Sequence, residues 1–187
     1  MEQIITAGAI IGSPLMLMAA LGCLLFCREE PHKKLVWVFG VWAGALLLLF
    51  GGGWVLGELG LAWRDLPGGI LAVILIVGWL AINVLTLGSL LPKEMPNLAP
   101  VLRWGFKLAL VGCACLSMYV TVTFGGLFAA FSYGNQERVI QYQGQTLVET
   151  DEGFLDPDYN YYVYHGPLVR GNESLFGTRM ERLLEDE

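Results

Sequence analysis

Residues 69–91 read GILAVILIVGWLAINVLTLGSLL, twenty-three positions without a charge and with one side-chain amide, Asn83. A helix of about 23 residues rises roughly 34 Å, enough to cross about 30 Å of hydrocarbon. Lipid offers no partner for free backbone N–H and C=O groups, so a single segment crosses it only as a helix. Three more runs have the same character, at about 4–26, 35–57 and 105–131. Together they predict a membrane all-α fold over residues 1–131, a bundle of four transmembrane helices. The first run is expected to be a span and not a cleaved leader. Its flank Met1-Glu2-Gln3 has no basic residue, and the run exceeds the length of a leader's apolar core.

The composition agrees. The chain has 187 residues, 55% hydrophobic and 15% charged, against roughly 25% charged in soluble proteins. The charge is also segregated. Residues 1–131 hold seven Lys/Arg against six Asp/Glu, a net of +1. Residues 132–187 hold four against eleven, a net of −7, so the whole-chain charge of −6 belongs to the tail. An acidic tail excludes nucleic acid and anionic lipid as its partners, because both need clustered basic residues.

Orientation follows from the basic residues beside the spans. Arg28, Lys33, Lys34, Lys93, Arg103 and Lys107 fall on one side, Arg64 and Arg138 on the other. The excess marks the cytoplasmic side. Loops one and three then lie inside, and both termini are extracytoplasmic, with the plasma membrane as the expected location. Trp37, Trp54, Trp63 and Trp104 fall near span ends, where amphipathic rings favour the headgroup layer. Trp42 and Trp79 lie deeper and read as packing residues.

No Asp, Glu, Arg, Lys or His occupies the centre of a span. Such residues mark proton relays and ion paths, so an ion-coupled transporter is not expected. The polar residues inside are modest. Cys113, Ser117 and Thr121 recur at every fourth position and form one stripe, and Asn83 is predicted to face it. A stripe of small, weakly polar side chains admits another helix closely and hydrogen-bonds to it. Gly8 and Gly12 in the first run, and Gly40 and Gly44 in the second, fit the G-x-x-x-G packing pattern. The run Gly51-Gly52-Gly53 is expected to loosen the outer end of the second helix. Cys23, Cys27, Cys113 and Cys115 lie in or beside apolar runs at spacings unlike zinc pairs, and read as small apolar side chains.

After Phe131 the composition changes. Residues 132–187 predict a small β-rich extracytoplasmic domain, a hairpin or three strands plus a short C-terminal helix. Glu137 to Tyr142 and Gln145 to Thr150 alternate as strands about the turn Gln143-Gly144. Asn160 to Tyr164 suits a third strand. Asn172 reads as a cap and Thr178 to Glu185 as the helix. Three strands need a cover for one face, and the second loop, Leu59 to Pro67, is one candidate. Tyr159, Tyr161, Tyr162 and Tyr164 are contact material either for a protein partner or for the domain's own core. Asp156, Asp158 and Asn160 place oxygen atoms at positions one, three and five of an EF-hand-like loop. Tyr161 then stands where glycine is required and Pro167 where glutamate is required, so at most a looser cation site is left. Asn172-Glu173-Ser174 fits the N-glycosylation sequon.

Catalytic groupings are missing. The two histidines, His32 and His165, lie in an inner loop and in the tail. Nucleophile, phosphate-loop and metalloprotease motifs do not occur. The expectation is a non-enzymatic multi-pass membrane protein without cofactor or identified small-molecule ligand. Its partners would be the lipid bilayer and either a protein bound through the tail or a second copy of itself. Accessory, assembly, immunity-type and sensor roles fit. The alternative is a channel or transporter subunit with a path near Asn83 and Ser117.

Overall fold

The computed structural model describes residues 12–26, 30–93, 99–153 and 156–179. Helix α1 spans Ser13–Phe26. Helix α2, Glu30–Leu46, runs through a wide turn at Leu47–Gly51 into α3, Gly52–Glu58. Helix α4 spans Asp65–Leu90. Helix α5, Pro100–Val120, passes through a second wide turn at Thr121–Gly125 into α6, Gly126–Tyr133. Three continuous helical runs, Lys33–Glu58, Asp65–Leu90 and Pro100–Tyr133, are long and apolar enough to cross a membrane. They match the second, third and fourth expected spans. The first is described over the fourteen residues of α1, and its residues 4–11 lie outside the described part, as does Cys27.

The helix limits have local causes. α5 starts with Pro100 in its first turn, where the missing N–H costs no bond. α3 ends as Leu59 and Gly60 donate their N–H groups to Leu56 and Gly57 at 3.0 and 3.1 Å. Gly60 has φ +70, a left-handed conformation that glycine adopts without strain. The glycine run falls where the wide turn of Leu47–Gly51 gives way to α3. Gly52 and Gly53 lie inside α3 and make room for Trp63, whose Cζ2 would stand 3.0 Å from a Cβ at Gly52.

The chain divides into two compact units, Met1–Ala45 with Ile74–Leu127, and Leu46–Val73 with Phe128–Glu187. The first is helical among its described residues. Its core is Met16, Ala20, Cys23, Leu35, Trp79, Ile82 and Ala114. Trp42 lies against Trp79 with ring centroids 5.3 Å apart, and its Nε1–H donates to the Leu75 carbonyl at 3.1 Å. Gly78 lets this ring approach the α4 backbone, where a Cβ would stand 3.1 Å from Trp42 Cδ1. Trp42 and Trp79 are thus packing residues, as their depth in the sequence implies.

The second unit holds one antiparallel sheet of five strands in the order β1-β5-β4-β3-β2. The strands are β1 Leu61–Trp63, β2 Gln136–Tyr142, β3 Gln145–Asp151, β4 Asp158–Tyr164 and β5 Val169–Arg179. Strands β2 and β3 pair in register from Gln136↔Asp151 to Tyr142↔Gln145. Gln143 and Gly144 carry φ of 49 and 81, the two left-handed positions of the tight turn that suits hairpin twist. One face carries the satellite core of Leu147, Tyr159 and Tyr161 with Ile140, Tyr142 and Phe176. Tyr161 stacks on Phe176 at 4.9 Å.

Three expectations for the tail are corrected. Four strands, not two or three, come from residues 132–187, and a fifth comes from the second loop. Asn172 caps no turn: it lies in β5, and its N–H donates to the Gly60 carbonyl at 2.9 Å. Thr178 and Arg179, where a helix was expected to begin, close β5, and residues 180–187 lie outside the described part. Cross-strand pairing decides here. β4 holds β5 from Asp158↔Arg179 to Tyr164↔Arg170, with two register shifts, the second of which takes in the stretch Gly171-Asn172-Glu173 of low strand preference. The loop expected as a possible cover joins the sheet itself, as Leu61–Trp63 pairs with Val169–Gly171.

Candidate functional site

Within the second unit, charged side chains gather beside β1 and the start of α4. Arg64 Nε donates to Glu137 Oε2 at 2.9 Å. The Asp65 backbone N–H, exposed at the start of α4, donates to Glu137 Oε1 at 3.1 Å. Glu137 of β2 therefore caps a helix that begins 72 residues earlier in the chain, with its negative charge at the positive end of the helix dipole. Arg170 of β5 donates from Nη1 to Thr150 Oγ1 at 2.7 Å. Its other nitrogens stand 3.7–3.9 Å from Asp65, Glu137 and Glu152. Its guanidinium lies 3.8 Å over the Tyr162 ring, and that of Arg64 lies 5.6 Å over Tyr164.

These groups are largely out of water. Side-chain exposure is 15% for Arg64, 12% for Arg170, 7% for Glu137 and 5% for Asp65. Three carboxylates face two guanidinium groups, so the cluster carries one surplus negative charge. The Tyr162 hydroxyl donates to Glu152 Oε1 at 2.6 Å. Burial first, and the neighbouring Glu152 carboxylate second, push the Tyr162 phenol up to about 12, so it stays a donor at physiological pH.

The cluster takes in residues that the sequence does not single out: Asp65, Glu137, Thr150, Glu152 and Arg170. The one local signal was Asp65-Leu66-Pro67, an acidic residue and a proline opening an apolar helix. Nothing local links Glu137 or Arg170 to it.

Of the two roles open to the tyrosines, partner contact or the domain's own core, three take the second. Tyr159, Tyr161 and Tyr162 are 7%, 0% and 8% exposed. Tyr161 donates its hydroxyl to the buried Glu149 at 3.2 Å. Tyr164 is half-buried and lies under Arg64. The loose cation reading gains no support. Asn160 donates its amide to Glu152 at 3.0 Å, and Asp158 donates its N–H to Asp151 at 3.2 Å. Asp156 is exposed. Among the described residues, no three His, Cys, Asp or Glu are gathered so as to hold a metal ion.

In the helical unit, Ser117, Asn83 and Thr86 are each 0% exposed. Ser117 accepts the Trp79 Nε1–H at 2.9 Å and lies 3.3 Å from the Ser13 hydroxyl. Thr121 donates to the Ser117 carbonyl at 2.9 Å. Asn83 was predicted to face the stripe. Its Nδ2 donates to the Trp79 backbone carbonyl at 2.8 Å, and the indole N–H of the same Trp79 is the group that meets Ser117. Cys113 and Thr121 are half-buried and Cys115 is exposed. The stripe does admit a helix. A Cβ on Gly12, just before α1, would stand 3.1 Å from the Cys113 carbonyl and 3.5 Å from the Ser117 nitrogen. Gly40 and Gly44 meet nothing within 4 Å, so they bring no helix close among the described residues. Gly8 lies outside the described residues.

Comparison with known protein families, curated proteins and solved structures finds no match to this chain.

Proposed function

We propose that this chain is a four-span membrane protein that acts without catalysis, and that its acidic sheet module, facing away from the cytoplasm, recognises another protein. Three helices of sufficient length and apolarity support the membrane reading. The basic bias of loops one and three supports the orientation. The observation that carries the recognition reading is the way the second loop is built into the sheet. β1 pairs with β5, and Glu137 caps α4. The module is thereby pre-organised, and a rigid surface loses less entropy on binding than a loose tail. Strand β2 is the outermost strand on one side. It leaves an open backbone edge along Gln136–Tyr142 and an exposed Val139, 49% accessible. Open edges accept a further strand from a partner. Accessory, assembly, immunity-type and sensor roles fit such a module.

Affinity purification from native membranes in mild detergent tests this. The full chain is compared with an Arg138→Glu/Val139→Lys variant, whose changes lie on the edge strand and outside the buried charge cluster. A stoichiometric companion of the full chain that the variant loses, while keeping its melting temperature, supports recognition through this edge. A companion retained by the variant places recognition elsewhere. Failure of the full chain to retain any companion would overturn the recognition reading.

A further inference from the structure

Building on the four-span reading above, we propose that the sheet face bearing the ionic cluster rests on the outer headgroup layer of the membrane, with Leu168 as its apolar anchor. Leu168 lies in the turn from β4 to β5.

The depth of this residue is set by the helices. α3 ends at Glu58 and α4 starts at Asp65, so only residues 59–64 pass between two runs of spanning length. The apolar run of α4 begins at Gly69, about 6 Å of helix beyond Asp65. Each headgroup layer is about 5–7 Å thick, so Asp65 stands within that layer or at its outer limit. Leu168 is held at the same level. The Arg64 N–H donates to its carbonyl at 3.0 Å, and the three residues that follow it pair with β1.

The direction is set by the cap of α4. N–H groups at a helix start point outward along the axis. The Asp65 N–H donates to Glu137 at 3.1 Å, so the sheet face that carries Glu137 lies over the end of α4. Arg170 is on that face, 3.9 Å from both Asp65 and Glu137. Side chains alternate along a strand, so Leu168, two residues before Arg170 and beside Arg64, shares the face. It is 57% exposed, and Leu66 in the first turn of α4 is 74% exposed. Around the end of a spanning helix the medium at this depth is lipid, and the boundary between headgroup and acyl chain takes up an apolar side chain without a groove to fit it. The acidic tail gains nothing from anionic lipid, so the contact is apolar and needs only zwitterionic headgroups.

Fluorescence quenching in phosphatidylcholine vesicles tests this. The full chain, with its four cysteines replaced, carries one environment-sensitive label, on Leu168→Cys, Arg138→Cys or Val77→Cys. All three positions are exposed. Arg138 follows Glu137 and so shows the opposite face of the sheet, while Val77 lies within the apolar run of α4. Nitroxide attached near the lipid headgroup is expected to dim the label at Leu168 and to spare the one at Arg138. Iodide in the water is expected to do the reverse. Nitroxide deep in the acyl chains should dim the label at Val77. A Leu168 label as open to iodide as the Arg138 label, with Val77 dimmed, would overturn the proposal and leave the four-span reading standing. A Val77 label that no lipid nitroxide dims would overturn both. A Leu168 label shielded from iodide yet untouched by lipid nitroxide would put protein on this face, and equal dimming at Leu168 and Arg138 would mean that neither face is seated. Either result overturns the proposal. Should the cysteine-free chain not fold, Leu168→p-benzoylphenylalanine in the wild-type background decides. An adduct of the chain with phosphatidylcholine on irradiation supports the anchor, and no lipid adduct overturns it.

Discussion

Arg170 gathers groups from four elements: Asp65 at the start of α4, Glu137 in β2, Thr150 with the following Glu152 at the end of β3, and Tyr162 in β4. One guanidinium does this because its charge is spread over a planar fork, which donates to Thr150 and stands within 3.9 Å of three carboxylates while its face lies on a ring. Arg170→Met would leave Asp65, Glu137 and Glu152 facing Arg64 alone. Removing one partner from a largely buried ionic group costs about 3–5 kcal/mol. Limited proteolysis and a detergent melt are expected to show the sheet cleaved earlier and unfolded at lower temperature. Arg170→Lys should recover only part of the loss, since an ammonium neither forks nor stacks as a guanidinium does. A sheet equally resistant in the methionine variant would mean that the ionic cluster does not hold it. None of these contacts is local, so residue types in order do not reveal them. By contrast, the depth of Trp42 and Trp79 was legible, because an uninterrupted apolar context already excludes the surface-belt role.

Among the elements, the β2–β3 hairpin was legible and β1 and β5 were not. In the hairpin, alternating residues flank a turn in which both central residues take positive φ, and all of that information lies within a few positions. Strand β5 contains Gly171, Asn172, Glu173, Ser174 and Gly177, which read locally as turn formers. Its conformation is imposed by β4 on one side and, over three residues, by β1 on the other. β1 in turn depends on the bare surface of α3. The ring of Trp63 occupies the space that side chains at Gly52 and Gly53 would fill. Gly52→Leu should force that ring out, at about 1–3 kcal/mol for overpacking. Hydrogen–deuterium exchange would then rise over residues 59–66 and over the paired stretch 169–171. Unchanged exchange there would show that β1 stays in the sheet without the Trp63 contact.

For the molecule as a whole, the decisive property is which side of the membrane carries the sheet. The orientation proposed here places residues 132–187 outside and the first loop inside. In a chain whose four cysteines are replaced, Ser174→Cys is expected to react with a membrane-impermeant maleimide on intact cells. Lys34→Cys is expected to react only after permeabilisation. Both positions are exposed, so differing reactivity reports sidedness. The reverse pattern would place the sheet in the cytoplasm.

The sequence by itself determined that the chain carries apolar helices of membrane-spanning length, roughly where each begins and ends, and that a compositionally distinct β segment follows them. These properties are carried by length, apolarity and short-range alternation, which act along the chain. Only the tertiary structure decided that the loop before Asp65 is a strand of the tail's own sheet. The same holds for Glu137 as the cap of α4, for Tyr159, Tyr161 and Tyr162 as buried and not open surface, and for the Trp79 indole meeting Ser117. Each of these depends on groups tens of residues apart meeting at about 3 Å, the range over which a hydrogen bond acts. Partners of this kind leave no mark in the local pattern of residues.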